Sequence, residues 1–229
     1  MRYQMRALAL FSGGKDSTYA LHIAVLQGFE ICKLITFVPS EDSSWLLHRP
    51  YAEFTQLQAE AMGLDIAVER VHGQRETELH EIKQKLAKYV RECQATHLVV
   101  GALLSDYQRI RFALIAEELG LKLFTPLWRK SQDRYLLELV DHGIQALIVS
   151  ITAYGIPLRY LGKVIDSDIA RDVIARSRKY GFNPAFEGGE AETFVVKAPL
   201  FRRSLCVEGE PVILSDFEGY FKPRRVYLC

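Results

Sequence analysis

The chain has 229 residues, of which 49% are hydrophobic and 25% are charged. This balance is typical of a folded globular protein and excludes a disordered or fibrous one. Its 29 basic and 28 acidic residues leave a formal net charge of +1, which gives no overall attraction to nucleic acid or to an anionic membrane. We therefore expect no membrane association and no nucleic-acid partner attracted by overall charge, while a local basic patch remains open.

No stretch of the sequence approaches the roughly 18 apolar residues that a membrane-spanning helix needs. The first apolar run, residues 7–11, is also too short for the core of a signal peptide. The four cysteines, Cys32, Cys93, Cys206 and Cys229, form no CxxC pair and no close group with histidine. Their spacing suggests neither a zinc site nor a disulfide framework, so we expect reduced thiols in a cytoplasmic protein.

The first half of the chain alternates short apolar runs with segments of helical periodicity. This alternation is typical of a parallel β-sheet covered by helices. Five strands are predicted at residues 7–11, 31–38, 66–71, 97–103 and 122–125. Four helices are predicted at residues 18–27, 52–62, 76–93 and 106–119, three of them followed by Gly28, Gly63 and Gly120 as C-terminal caps.

The pattern changes after residue 127. Helices are predicted at residues 132–141 and 168–180, with a strand at 146–151 and a β-rich tail. In the tail, two apolar stretches at 204–207 and 212–214 flank Glu208-Gly209-Glu210-Pro211, which predicts a hairpin turn there. We therefore expect two domains, residues 1–127 and a smaller α+β domain at 128–229.

The most informative segment lies between the first predicted strand and the first predicted helix. Its sequence is Ser12-Gly13-Gly14-Lys15-Asp16-Ser17. Two glycines permit a sharp turn, and a helix N-terminus presents unpaired amides with a partial positive charge, which together suit phosphate oxygens. Lys15 can add a positive charge, and Asp16 a helix cap or an outer ligand for Mg²⁺. The alternative is an ordinary glycine turn before a capped helix.

This segment matches the SGGxDS signature and resembles that of the N-type ATP pyrophosphatases, the PP-loop enzymes. The resemblance covers the first predicted domain and implies a five-stranded parallel α/β sheet of the HUP type, in the order 3-2-1-4-5. It also implies that the loop grips the pyrophosphate part of ATP, with a substrate adenylated before a nucleophile displaces AMP. The residues thereby predicted to bind ATP are Ser12, Gly13, Gly14, Lys15, Asp16 and Ser17. Lys15 and Asp16 are also predicted to be catalytic, and Asp16 to bind Mg²⁺.

Three further stretches are similar to one branch of the PP-loop enzymes. Residues 101–111, 126–128 and 186–194 resemble the diphthine–ammonia ligases, which make diphthamide on elongation factor 2. With them the resemblance spans most of the chain. It implies amidation of diphthine with ammonia through an acyl-adenylate, with release of AMP and pyrophosphate, and a substrate-binding role for the second domain.

In the implied sheet order the first and fourth strands are neighbours, so the loops after them flank the crevice where open α/β sheets bind ligands. Ser105, Asp106 and Arg109 are therefore predicted to bind substrate beside the phosphate loop. Arg109 is also predicted to be catalytic, because a guanidinium matches a phosphate or a carboxylate, and Arg111 is a further candidate. The alternative is that Asp106 caps the helix and both arginines lie on its exposed face.

A second group of candidates precedes an apolar strand predicted at residues 194–196. Three carboxylates and two glycines in seven positions suit a cation, which could be Mg²⁺, an ammonium nucleophile or the trimethylammonium group of diphthine. A solvated acidic turn is the alternative. The predicted substrate-binding residues here are Glu187, Gly188, Gly189, Glu190, Glu192 and Thr193. Four aromatic residues are predicted to pack in the core or to line a pocket: Trp128, Tyr154, Tyr160 and Phe186.

Other classes of PP-loop enzyme need residues that this chain does not place suitably. A thiolating enzyme needs grouped or loop-adjacent cysteines, and a glutamine-using amidotransferase needs a further domain or an N-terminal cysteine, where this chain has Arg2. Free ammonia is the simpler nitrogen donor. Two alternatives remain open: another PP-loop enzyme that adenylates tRNA or a small metabolite, and a non-catalytic ATP-binding module. A homodimer also remains open, and residues 39–50 are a candidate lid over the site.

Overall fold

The computed structural model describes residues 5–39, 51–72 and 78–229. Residues 40–50, which make up nearly all of the candidate lid, lie outside the described residues. The chain divides into two compact units, one formed by residues 1–12 and 16–128, the other by residues 13–15 and 129–229. Three residues of the loop are thus part of the second unit.

The first unit is a parallel sheet with the order β3-β2-β1-β4-β5, which confirms the predicted α/β fold class and strand order. Its strands are β1 (Arg6–Leu10), β2 (Glu30–Pro39), β3 (Ile66–Val71), β4 (His97–Val99) and β5 (Lys122–Phe124). The helices are α1 (Lys15–Leu26), α2 (Thr55–Met62), α3 (Glu78–Cys93) and α4 (Asp106–Glu118).

Apolar periodicity explains how these elements pack. On α3, Ile82, Leu86 and Cys93 are buried, and Leu79 and Val90 pack against the same core, as their three- and four-residue spacing predicts. The predicted helix-ending residues Gly28, Gly63 and Gly120 all have positive φ. The fourth strand ends earlier than predicted, at Val99, so that the chain leaves the sheet before it reaches the start of α4.

The second unit combines two helices with an antiparallel sheet of order β7-β6-β9-β8, which confirms the predicted α+β class of this part. Its helices are α5 (Gln132–Asp141) and α6 (Ser167–Tyr180). Its strands are β6 (Gln145–Ile151), β7 (Ala191–Lys197), β8 (Leu205–Ile213) and β9 (Gly219–Leu228). β7 lies at one edge of the sheet, paired with β6 alone among the strands of the described chain.

The predicted hairpin turn at residues 208–211 is wrong, because these residues lie inside β8. A β-carbon at Gly209 would lie 2.3 Å from the Lys222 carbonyl oxygen of β9, so glycine here permits close strand approach at a bulge. Pro211 is tolerated because β8 is an edge strand, where one side of the backbone needs no partner. The turn comes later, where the Leu214 and Ser215 amides donate to the carbonyl of Glu218.

The expectation of reduced thiols is also wrong. Cys32 of β2 is bonded to Cys93 at the end of α3, and Cys206 of β8 is bonded to Cys229, so no cysteine is free. The partners are 61 and 23 residues apart in sequence, so only packing of α3 on the sheet and antiparallel pairing of β8 with β9 bring them together. The cysteines therefore no longer support a cytoplasmic location, because disulfides are rare in cytosolic proteins outside hyperthermophiles.

Within residues 5–39, 51–72 and 78–229, no helix combines the length and the apolar character that crossing a membrane requires.

Candidate active site

The phosphate loop, defined as Ser12 to Ser17, follows β1 directly and runs into α1. The Ser12 amide donates to the Ser17 hydroxyl oxygen at 3.1 Å, and the two hydroxyl oxygens lie 3.1 Å apart. Gly13 has φ 77°, a conformation that favours glycine. One of these two hydroxyls donates to the other, and the accepting hydroxyl keeps its own hydrogen for donation.

The chain that follows β4 touches this loop. A β-carbon built at Gly101 would lie 2.8 Å from the carbonyl carbon and oxygen of Asp16 and from the Ser17 nitrogen. Only a residue without a side chain permits this approach, and it results from the neighbouring positions of β1 and β4 in the sheet. The loops after β1 and β4 are therefore adjacent, as predicted.

The first turn of α1 is largely buried beneath the loop. Ser17 and Thr18 are 8% and 0% exposed, and the Thr18 hydroxyl has no hydrogen-bond partner among the described residues. One turn on, His22 lies in the same buried helix, with its Nδ1 2.7 Å from the Thr18 carbonyl oxygen. Burial lowers the pKa of His22 below its ordinary value of 6.5, although the hydrogen bond to Thr18 acts in the opposite sense. Asp16 lies in the same first turn and is half-buried.

The central residues of the loop contact the edge strand β7 within the second unit. The Val195 amide donates to the Gly13 carbonyl at 2.9 Å, and the Lys15 amide donates to the Thr193 hydroxyl at 3.1 Å. The Lys15 side chain is only 3% exposed, and its ammonium lies 5.8 Å and 5.6 Å from the ring centroids of Tyr135 and Phe186. The ammonium predicted to face phosphate thus lies against two aromatic rings in the structure.

The residues predicted after β4 have distinct positions. Ser105 is the N-cap of α4, since its hydroxyl accepts the Gln108 amide at 3.2 Å, while Asp106 is exposed in the first turn. The guanidinium of Arg109 lies 4.5 Å from the ring centroid of Trp128, and its buried Nε has no hydrogen-bond partner in the described part of the chain. Arg111 instead packs over the exposed Tyr107.

In the acidic turn, residues 187–193, one carboxylate already has backbone partners. Glu190 accepts the Asn183 amide at 2.9 Å with one oxygen and the Gly188 amide at 2.8 Å with the other. A β-carbon at Gly188 would lie 2.7 Å from a Glu190 oxygen, so glycine leaves room for the carboxylate in this position. Gly189 has φ 83°, and its carbonyl accepts the hydroxyl of Thr152. Glu190 therefore holds the turn, whereas the half-buried Glu187 and Glu192 are the other two carboxylates of the segment.

The amino-acid sequence alone did not separate these roles. The contact of Gly101 with the loop and the two backbone bonds of Glu190 were both missed. Two features of the sequence could have indicated these contacts. One is Gly101, which follows a buried strand, and the other is Gly188, which lies two residues before Glu190. Of the other aromatic candidates, Tyr154 is 69% exposed and therefore lies outside the core, whereas Tyr160 is buried and its hydroxyl donates to Asp172 at 2.6 Å.

Comparison with known proteins places the chain in a family. The family models described as the diphthamide synthase N-terminal domain and the diphthamide synthase C-terminal domain match residues 5–123 and 131–228. The chain belongs to the diphthamide synthase family. It is 32% identical to the diphthine–ammonia ligase of Homo sapiens over 94% of this chain and 88% of that protein. It is 33% identical to the diphthine–ammonia ligase of Danio rerio, over 93% of this chain and 90% of that protein.

Membership of this family confirms the predicted resemblance to the diphthine–ammonia ligases, which was based on the phosphate loop and the later motifs. The Schizosaccharomyces pombe protein of the same name is 30% identical over 91% of this chain, but the match covers 37% of that longer protein. The two family models together cover both compact units, so the similarity is not confined to the nucleotide loop.

Proposed function

We propose that the chain is an ATP-dependent ligase that amidates diphthine on elongation factor 2, with ammonia as the nitrogen donor. Relatives named diphthine–ammonia ligase match nearly the whole chain, which supports this activity. The observation that carries the proposal is the phosphate loop itself, which bears the SGGxDS signature at a helix N-terminus and lies against the backbone at Gly101. Because the proposed substrate is a translation factor, we propose that the activity takes place in the cytoplasm.

In the proposed reaction, a carboxylate oxygen of diphthine attacks the α-phosphorus of ATP. The bond from that phosphorus to the bridging oxygen breaks, and pyrophosphate leaves. Ammonia then attacks the acyl carbon, the C–N bond forms, and AMP leaves with the former carboxylate oxygen while one proton passes to solvent. The protein's contribution is to orient the reactants and to stabilise the negative charge that develops on the leaving group.

The loop supplies that stabilisation at the leaving pyrophosphate. The partial positive charge at the start of α1 favours an anion there, and the accepting hydroxyl of the Ser12–Ser17 pair keeps its own hydrogen for donation. The described residues contain no group of three or more His, Cys, Asp or Glu side chains able to hold a metal by themselves. Mg²⁺ is commonly bound by one or two carboxylates together with substrate phosphates, so Asp16 fits an ion that arrives with ATP and neutralises its charge.

Arg109 is assigned to an anionic group of the substrates. Its guanidinium is held against Trp128, and its buried Nε–H lacks an acceptor among the residues that the structure describes. A buried donor without a partner is costly, and a phosphate or carboxylate oxygen would satisfy it. Ser105 caps the helix that carries Arg109, so its role is to hold the arginine's helix in place.

The acidic turn is assigned to the acceptor substrate. The half-buried Glu187 and Glu192 are proposed to attract the trimethylammonium group of diphthine or the ammonium ion, while Glu190 holds the turn by accepting two backbone amides. Gly188 and Gly189 allow the turn that presents them.

The test is product analysis with purified protein, ATP, Mg²⁺, isotopically labelled ammonium and diphthine-bearing elongation factor 2. AMP, pyrophosphate and labelled amide are expected in equal amounts. Asp16→Asn is expected to lower the rate of AMP formation by about 10²-fold, by analogy with removal of one charge-stabilising group from an enzyme site. Formation of ADP would exclude the mechanism, and ATP binding without any turnover would favour the binding-module alternative.

A further inference from the structure

The central residues of the phosphate loop are held by the strand that carries the end of the acidic turn. Strand β7 begins at Ala191 and lies at the edge of its sheet, so one side of its backbone is available to another segment. Gly13 and Lys15 use that side, through the Val195 amide and the Thr193 hydroxyl. The Gly13 contact uses the backbone, whereas the Lys15 contact depends on the side chain at position 193.

The Lys15 side chain adds a second attachment to the same region. Its ammonium lies near Tyr135, which is 0% exposed, and Phe186, which is 5% exposed. Phe186 has φ 65°, a conformation that is rare for a bulky residue and persists only where its surroundings fix it. Phe186 immediately precedes the acidic turn and Thr193 is its last residue. Lys15 therefore contacts residues at both ends of this turn.

We propose that Thr193 is a positioning residue for the nucleotide loop, through which the acidic turn controls the affinity of the protein for ATP. This inference rests on the proposed function, because it concerns ATP bound to the same loop. The Thr193 hydroxyl accepts the Lys15 amide and thereby sets the orientation of the peptide that joins Gly14 to Lys15. A loop with this peptide free to rotate must be ordered when the nucleotide binds, which weakens binding.

Three variants test the role of the Thr193 hydroxyl. Thr193→Val keeps the shape and removes the acceptor, whereas Thr193→Ser keeps the acceptor. Ser177→Ala is the matched control, because it removes a buried hydroxyl that donates to the Ile174 carbonyl at 2.8 Å within α6 of the same unit. The measurements are the KM for ATP, kcat at saturating ATP, and the hydrogen exchange rate of the Lys15 amide without nucleotide.

Thr193→Val is expected to raise the KM for ATP about tenfold, because the Lys15 amide loses the hydroxyl that accepts it. The same variant is expected to change kcat by less than about twofold. Its Lys15 amide is expected to exchange about tenfold faster. Thr193→Ser is expected to restore the wild-type KM for ATP and exchange rate because it keeps the acceptor, and Ser177→Ala is expected to match the wild type in all three measurements. A Thr193→Val variant with wild-type KM for ATP would overturn the inference, as would equal values in the Val and Ser variants.

The exchange measurement separates this inference from the proposed function, because it needs no nucleotide and no turnover. If the Lys15 amide exchanges faster in Thr193→Val but the wild type forms no AMP, the proposed function fails while the positioning of the loop stands. If the exchange rate is unchanged in Thr193→Val, the positioning role fails whatever the wild type does with ATP.

Discussion

Lys15 occupies the only position of the SGGxDS signature that is open to any residue type. That its charge faces phosphate stays a prediction, and in the structure the side chain is 3% exposed and lies against Tyr135 and Phe186. A long cationic side chain can be held in this way because its stem is apolar and its ammonium is attracted to ring faces. Lys15→Ala would therefore alter packing in the second unit as well as charge, so Asp16 gives the cleaner test of the loop.

At the same scale, Gly101→Ala is expected to abolish ATP binding. The new β-carbon would lie 2.8 Å from the backbone of Asp16 and Ser17, so the loop must shift. Overpacking of this kind costs about 1–3 kcal/mol, which a domain of this size tolerates without unfolding. The measurement is ATP affinity by titration calorimetry, together with the urea unfolding midpoint.

Gly120→Ala is the matched control for this prediction. Gly120 has φ 68°, but a β-carbon there meets nothing within 4 Å, so its replacement strains the backbone without touching the loop. We expect Gly120→Ala to lose about 1 kcal/mol of stability and to bind ATP normally. ATP binding by Gly101→Ala with wild-type affinity would show that the contact does not constrain the loop.

At the scale of elements, His22 of helix α1 makes the free energy of unfolding depend on pH. Burial lowers the pKa of His22, and burial together with the charge of Lys122 lowers that of His97 on β4. Below about pH 6.5 the unfolded chain binds protons at these histidines that the folded chain does not, so the free energy of unfolding falls as pH falls. We expect the urea midpoint to be lower at about pH 5.5 than at about pH 7.5.

His22→Asn is expected to reduce this pH dependence without removing it, because His97 still contributes in the same direction. Asparagine retains an amide that can reach the Thr18 carbonyl, so the hydrogen bond in the helix need not be lost. An unchanged difference between the two midpoints would mean that His22 is not a source of the pH dependence.

In the acidic turn, the side chain of Glu190 accepts two backbone amides, so Glu190→Gln is expected to loosen the turn. A carboxamide has one oxygen, and its NH₂ would face either the Asn183 or the Gly188 amide, leaving that donor without an acceptor. We expect a loss of about 1 kcal/mol in the free energy of unfolding, measured by urea titration. Asp216→Asn, an exposed acid in the turn between β8 and β9, is the control and is expected to change nothing. Identical midpoints for Glu190→Gln and wild type would contradict the assigned role.

Elements with strong periodicity were predictable, and those shaped by contacts with distant residues were not. The apolar stripe of α3 follows from the spacing of Ile82, Leu86 and Cys93, and it packs as expected. Strand β8 was missed because Gly209 and Pro211 are ordinary turn residues. They fit a strand here only because β9 approaches closely at Gly209 and because β8 lies at an edge.

At the scale of the whole molecule, each disulfide lies within one compact unit. Each is expected to stabilise its own unit by about 2–4 kcal/mol, because it restricts the unfolded chain. The bond from Cys32 to Cys93 closes the longer loop, 61 residues against 23, so Cys32→Ser is expected to cost more than Cys206→Ser. The measurement is urea unfolding of each variant, after a thiol titration that should find no free thiol in the folded wild type. Four reactive thiols would contradict both bonds.

The candidate site was predictable in its parts and not in its arrangement. The loop signature, the arginines after the fourth strand and the acidic turn are local patterns, because each depends on residues close together in sequence. Where the Lys15 ammonium lies and what faces Gly101 depend on residues from distant segments. No local pattern records such contacts.

The amino-acid sequence alone therefore determined the parallel sheet, its strand order through the family resemblance, and the chemistry expected of the loop. These features follow from apolar periodicity and from short motifs, which act over a few residues. Only the tertiary structure decided the two disulfides, the course of β8 and the attachment of Lys15 to Thr193. Each of these joins groups far apart in sequence, and their contact results from the packing of whole elements.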